Sequence, residues 1–120
     1  DDPGGVTDGA AVEGTIWTLE ELDSGAVPDG VEVTLEYDGE TISGSGGCNR
    51  YSGGATFDAG AVTFDSEVVS TMMACDEPAS GVEQRYLDAL RRAAGFVVSD
   101  GTLTISDADG EPLLVFTSTE

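Results

Sequence analysis

Hydrophobic and polar residues alternate along much of this chain at the period of two that marks half-buried β-strands. In "VEVTLEY", Val31, Val33, Leu35 and Tyr37 fall on one face and Glu32, Thr34 and Glu36 on the other. One apolar and one polar face predict a strand of an antiparallel sheet over Val31–Tyr37. Asp38-Gly39 follows, a favoured two-residue hairpin turn, and "ETISG" (40–44) returns the chain. Upstream, Trp17 and Leu19 share a face of "TIWTLEEL", which predicts a strand over Thr15–Leu22. Further short strands are expected at Ala55–Phe57, Ala61–Phe64 and Val68–Met72. Near the C-terminal end, Thr102–Ile105 and Leu113–Phe116 flank the turn-rich "SDADGEP" and read as a second hairpin. Asp-Gly pairs at 29–30, 38–39, 100–101 and 109–110 punctuate the chain as an antiparallel meander requires.

One segment has a different period. In "PASGVEQRYLDALRRAAGF", Val82, Tyr86, Leu90 and Ala93 recur at helical spacing and Leu87 widens the stripe. Ser80 and Glu83 have the spacing of a capping box, Arg91 and Arg92 suit the negative end of a helix dipole, and Gly95 is placed to end the helix. The pattern therefore predicts an α+β fold: a mainly antiparallel, compact, barrel-like sheet with one α-helix packed on it. The opening "DDPGGVTDGAAVE" (1–13) reads as a flexible, acidic, glycine-rich leader, and residues 14–118 as a single domain.

Charge changes the picture more than hydrophobic content does. Twenty-four acids face four arginines, with no lysine and no histidine, for a formal charge of −20. Such a surface repels nucleic acid phosphates, so no nucleic acid partner is expected. The acids are spread along the chain, which favours solvation in a saline setting over an acidic face built for a cationic protein partner. No apolar run approaches the roughly 20 residues that span a bilayer, so no transmembrane segment is expected. A secretion signal or lipid anchor upstream of residue 1 is compatible with the polar opening.

The missing residue types remove most catalytic chemistry. Without histidine there is no Ser-His-Asp or Cys-His arrangement and no histidine-ligated metal, and without lysine no Ser-Lys pair. Two cysteines cannot supply a four-cysteine metal site. The stretch "GSGGCNRYSGG" (44–54) has the glycines of a phosphate-binding loop but not its Gly-Lys-Ser/Thr ending. It begins as a dinucleotide fingerprint does but ends in asparagine. "DADGE" (107–111) is too short for a calcium loop, and a hairpin turn is the better reading. Paired carboxylates need a cleft that so small a domain hardly offers. Cys48 and Cys75 most simply pair with one another; the alternative is a free Cys48 thiol whose pKa Arg50 lowers. No enzyme activity, cofactor or metal is expected.

In order, Trp17-Thr18-Leu19, Ile42-Ser43-Gly44, Gly47-Cys48-Asn49-Arg50-Tyr51, Thr71-Met72-Met73-Ala74-Cys75 and Glu83-x-x-Tyr86-Leu87-x-x-Leu90 resemble the META/HslJ domain family. The closing strands at Leu103 and Leu113–Phe116 extend the resemblance from about Thr15 to Thr117. It implies a compact antiparallel β domain crossed by one helix. It also implies an exported, extracytoplasmic protein, often a bacterial envelope lipoprotein, associated with stress tolerance, drug resistance, motility or secretion. The family has no established catalytic residues to carry over. Gly47, Cys48, Asn49, Arg50, Thr71, Met73, Ala74 and Cys75 are read as its structural motif, with Cys48 held to meet Cys75 and Arg50 pairing with a nearby acid. The expected function is a monomeric, non-catalytic envelope accessory or binding module. The alternative is a small β domain that carries a hydrophobic ligand in an apolar cavity.

Overall fold

The computed structural model describes residues 12–22, 25–28, 30–58, 60–64, 69–70, 75–99 and 101–118. Its elements run β1 (Ile16–Leu22), β2 (Gly25–Ala26), β3 (Thr34–Tyr37), β4 (Thr41–Ser45), β5 (Arg50–Asp58), β6 (Ala61–Phe64), β7 (Val69–Ser70), α1 (Ala79–Arg92), β8 (Gly95–Ser99), β9 (Thr102–Ser106) and β10 (Pro112–Ser118). Strands β1, β3, β4, β5, β6, β8, β9 and β10 pair in that order, and β10 returns to pair with β1. The result is a closed, eight-stranded antiparallel barrel, with α1 between β6 and β8 in the chain. Closure leaves no exposed sheet edge around the ring except where pairing is short.

Alternation decides what fills the barrel. Along β5, Tyr51, Ala55 and Phe57 are buried, while Arg50, Ser52, Thr56 and Asp58 are exposed. Leu35 and Tyr37 of β3, Ile42 of β4, Val62 of β6, Phe96 of β8, Leu103 and Ile105 of β9 and Phe116 of β10 join the same core. Phe57 lies at its centre, with ring centroids 4.7 Å from Tyr37, 5.0 Å from Phe96 and 5.7 Å from Phe64. In a barrel of eight strands the interior is just wide enough for side chains to fill.

The weakest seam lies between β6 and β8. Their ladder has the single position Ala61↔Gly95, supported by the hydrogen bonds Val62 N–H to Ala94 O and Phe96 N–H to Gly60 O. Helix α1 precedes β8 in the chain and buries Val82, Tyr86, Ala89 and Leu90. The Tyr86 ring meets Tyr51 of β5 at 5.3 Å and Phe116 of β10 at 6.3 Å. Those strands stand four places apart in either direction around the ring, so Tyr86 spans opposite walls.

Several expectations shift. The first hairpin turns at Gly39-Glu40, one residue later than expected, because Asp38 N–H donates to Thr41 O and the Asp38 carboxylate accepts from Glu40 and Thr41 N–H. Gly39 takes φ +100° there, a conformation other residues resist. Strand β5 begins at Arg50 rather than Ala55, since Gly53 and Gly54 pair with Ile42 and Thr41. Gly95 does not cap the helix. The helix ends at Arg92 and Gly95 opens β8, a strand the sequence reading missed. Val12 and Glu13, counted with the leader, belong to the fold: Val12 is fully buried, its carbonyl accepts from the Trp17 indole, and Glu13 bridges to Tyr37. Thr71, Met73 and Ala74 of the expected motif, and Val68, Thr71 and Met72 of the expected strand, lie outside the described residues.

Candidate functional site

The glycine-rich stretch is mostly strand. Gly44 and Ser45 end β4 and Arg50 starts β5, which leaves Gly46–Asn49 as the turn between them. Gly46 N–H donates to Asn49 O and Gly47 N–H to Ser45 Oγ, while the Cys48 and Asn49 N–H groups point toward the helix. Glu83 Oε1 accepts from Cys48 N–H at 3.1 Å and from Asn49 N–H at 2.5 Å, and Oε2 accepts from the Asn49 carboxamide at 2.9 Å. Consecutive backbone donors arranged around an anion are the device of phosphate-binding loops. Here the anion is the protein's own carboxylate. The glycines make room for it: a Cβ on Gly46 would stand 3.1 Å from Glu83 Oε1, and Gly47 adopts φ +112°.

Glu83 therefore does not close a capping box with Ser80. Glu77 caps instead, its carboxylate accepting from Gly81 N–H at 3.0 Å, and a side chain at Gly81 would collide with it. The reason is competition. The loop offers Glu83 three donors, including a carboxamide on the 5 % exposed Asn49, whereas the helix start is solvated.

One turn along the helix, the Tyr86 and Tyr51 hydroxyls lie 2.5 Å apart, and Tyr51 donates to Thr34 O at 2.7 Å. A carbonyl only accepts, so the proton order is Tyr86 to Tyr51 to Thr34. The Thr34 carbonyl is available because Ser45 N–H, its ladder neighbour, donates to Thr34 Oγ1 at 3.0 Å instead. Gly44 permits this local departure: φ is +154°, and a Cβ would lie 2.3 Å from Thr34 O. Burial pushes both phenol pKa values above the ordinary tyrosine value, and for Tyr86 the neighbouring Tyr51 adds to the effect. Both stay protonated at neutral pH.

Cys48 and Cys75 are joined as a disulfide across 27 residues, with Cα atoms 6.0 Å apart. It ties the turn to the chain just before α1. Arg50 opens β5 as an exposed residue opposite Ser45 in the β4–β5 ladder. Glu83, Tyr51 and Tyr86 were not singled out as site residues. The sequence offered only their spacing, Tyr51 two residues after Asn49 and Tyr86 one helical turn after Glu83, and it is the fold that brings the two pairs together. Among the described residues no group of three Asp, Glu, Cys or His side chains is arranged to hold a metal, and no helix is long and apolar enough to cross a membrane.

Known proteins fit this architecture. A protein from Burkholderia xenovorans solved by NMR superposes with a TM-score of 0.72 at 29 % identity, covering 99 % of this chain and 91 % of its own. A second NMR structure superposes at 0.73 and 22 % identity, over 93 % of this chain and 95 % of the other, and supports the fold alone. No curated protein matches the sequence. The META domain family model matches residues 10–120. A closed antiparallel barrel, a helix locked to it by the Gly46–Asn49 turn, and a family match over nearly the whole chain lead to one conclusion: the chain belongs to the META domain family.

Proposed function

We propose that this chain is a non-catalytic, exported accessory or binding module of the cell envelope. The observation that carries the reading is the occupied glycine loop. Its amides hold Glu83, its cysteine is in a disulfide, and the tyrosine beside it is hydrogen-bonded inside the barrel. The loop's cysteine and asparagine, and the carboxylate and tyrosines nearest to it, are thus engaged in holding α1 to the barrel. A structural disulfide suits an oxidising, extracytoplasmic compartment, as does the export typical of proteins with this family's motifs. Lipid anchoring and a link to stress tolerance or secretion belong to the same proposal. Among the described residues, the ring contacts of Phe57 with Phe96 and of Tyr86 with Tyr51 and Phe116 inside the barrel favour this reading over a carrier with an apolar cavity.

Recognition then falls to the outer surface, where the charge of −20 selects cationic or neutral partners and saline surroundings. The test is affinity capture with the immobilised protein from separated envelope and cytosolic extracts of its source organism, at about 0.1 M and about 1 M salt. Specific capture from the envelope fraction is expected, weakening with salt for a cationic partner. Capture confined to cytosolic proteins contradicts the reading, and a lipid co-purifying in native mass spectrometry would favour the carrier.

A further inference from the structure

The two sulfurs of the disulfide are not equivalent. Cys48 Sγ accepts from the Asn49 carboxamide at 3.3 Å, and that carboxamide is held in place by its second hydrogen bond, to Glu83. Asn49 is itself 5 % exposed, so the donor is built into the fold. Both cysteines are half-buried, so exposure does not separate them; what differs is the setting, since Cys75 is followed by the exposed Asp76, Glu77 and Pro78, two of them carboxylates. Thiol–disulfide exchange goes fastest where the attacked sulfur is reachable and the departing sulfur is the better thiolate. A hydrogen-bond donor fixed on a sulfur stabilises its thiolate, and adjacent carboxylates oppose negative charge. At Cys48 the Glu83 carboxylate is also near, but it already receives three N–H donors.

We propose that Cys75 is an exchange site for external thiols, with Cys48 as the leaving group. The thiolate of a peptide thiol or protein dithiol attacks Cys75 Sγ. A new bond forms between the external sulfur and Cys75 Sγ, the Cys48–Cys75 bond breaks, and its electron pair departs on Cys48 Sγ as a thiolate. The external sulfur is oxidised by one electron and Cys48 Sγ reduced by one, so the step balances. The second thiol of a dithiol then attacks the external sulfur and releases Cys75 reduced, leaving the dithiol as a disulfide. The Glu83 clamp does not involve this bond, so the turn keeps its place and the Cys48 thiolate its donor. The fitting partner is a thiol–disulfide exchange protein whose reactive cysteine reaches an exposed, acidic segment.

The experiment uses the native oxidised protein and reduced glutathione as the probe. The reaction is trapped early with N-ethylmaleimide, and the modified cysteines are located by peptide mass spectrometry. Glutathione on Cys75 with maleimide on Cys48 is expected at about tenfold or more over the reverse arrangement. Replacing Asn49 by Asp, which removes the carboxamide donor, is expected to erase most of that bias in a variant whose circular dichroism shows the barrel intact. If the variant does not fold, the wild-type partition decides alone. Glutathione mainly on Cys48, an even split, or no adduct on native protein under conditions that label the unfolded chain would each overturn the proposal.

Discussion

At the scale of the residue, two side chains and one missing side chain set the geometry where helix meets barrel. Gly44 is required by space as much as by conformation, because any Cβ would stand 2.3 Å from the Thr34 carbonyl. Replacing Gly44 by Ala is expected to cost about 3 kcal/mol, read as a lowered urea midpoint with unchanged m-value. The two tyrosine hydroxyls are not interchangeable. Tyr51→Phe strips the donor from the part-buried Thr34 O and the acceptor from the buried Tyr86 hydroxyl, so two polar groups lose these partners. Tyr86→Phe leaves the Tyr51 to Thr34 bond in place. The first is expected to cost about 2–3 kcal/mol and the second about 1 kcal/mol, since leaving a buried group without a partner costs more than losing one bond. Equal losses in paired denaturation curves would show that the proton order is wrong.

At the scale of the element, the helix is held by three ties: the disulfide before it, Glu83 on the turn, and Tyr86 inside the barrel. Its exposed ion pairs, Arg92 Nε to Asp88 at 3.2 Å and Arg91 to Asp88 at 3.9 Å, contribute little because both partners are solvated. Glu83→Ala is therefore expected to cost about 2–4 kcal/mol, because Cys48 N–H, Asn49 N–H and the Asn49 carboxamide each lose a charged acceptor. Arg92→Ala is expected to cost less than about 0.5 kcal/mol by the same measurement. A Glu83 variant as stable as the Arg92 variant would remove the clamp from the account.

Elements with strong periodicity were legible in the sequence. The alternation through Leu35 and Tyr37 marked β3, and the helical stripe through Val82, Tyr86 and Leu90 marked α1. What stayed hidden was set by tertiary contacts. Gly53 and Gly54 carry no strand preference, yet β4 on one side places them in β5. Gly95 looked like a helix stop because its role as the first residue of β8 depends on Ser106 and Ala61, neither nearby in the chain. At the candidate site the two cysteines were visible from type alone. Glu83 was misassigned because the capping pattern is local, whereas its actual donors lie 34 and 35 residues away.

At the scale of the whole molecule, the titration behaviour follows from what the chain lacks. With no histidine or lysine, and both cysteines paired, no side chain has an ordinary pKa between about 5 and about 9. Burial raises the Tyr51 and Tyr86 pKa values in the folded state, so the folded chain holds protons the unfolded chain releases. Their contribution is fully present below the unfolded tyrosine value of about 10 and is lost as pH rises beyond it. Thermal stability is expected to stay level from about pH 6 to pH 9 and to fall steeply above about pH 10. In the Tyr51→Phe, Tyr86→Phe double variant that fall should be shallower. At the acid end, Asp38 works in the opposite sense. Its carboxylate accepts Thr41 and Glu40 N–H bonds that hold its pKa below the usual value, so its contribution is lost as pH falls.

The central claim is that the turn resembling a ligand-binding loop is filled by the protein's own helix. Amide hydrogen exchange followed by NMR tests it most directly. The Cys48 and Asn49 amides should exchange far more slowly than those of the exposed Gly39-Glu40 turn, and Glu83→Ala should release these two while the amides of β3 and β9 stay protected. Cys48 and Asn49 amides that exchange as fast as Gly39 in the wild-type protein would mean that the loop is open, and that a ligand belongs where the account places Glu83.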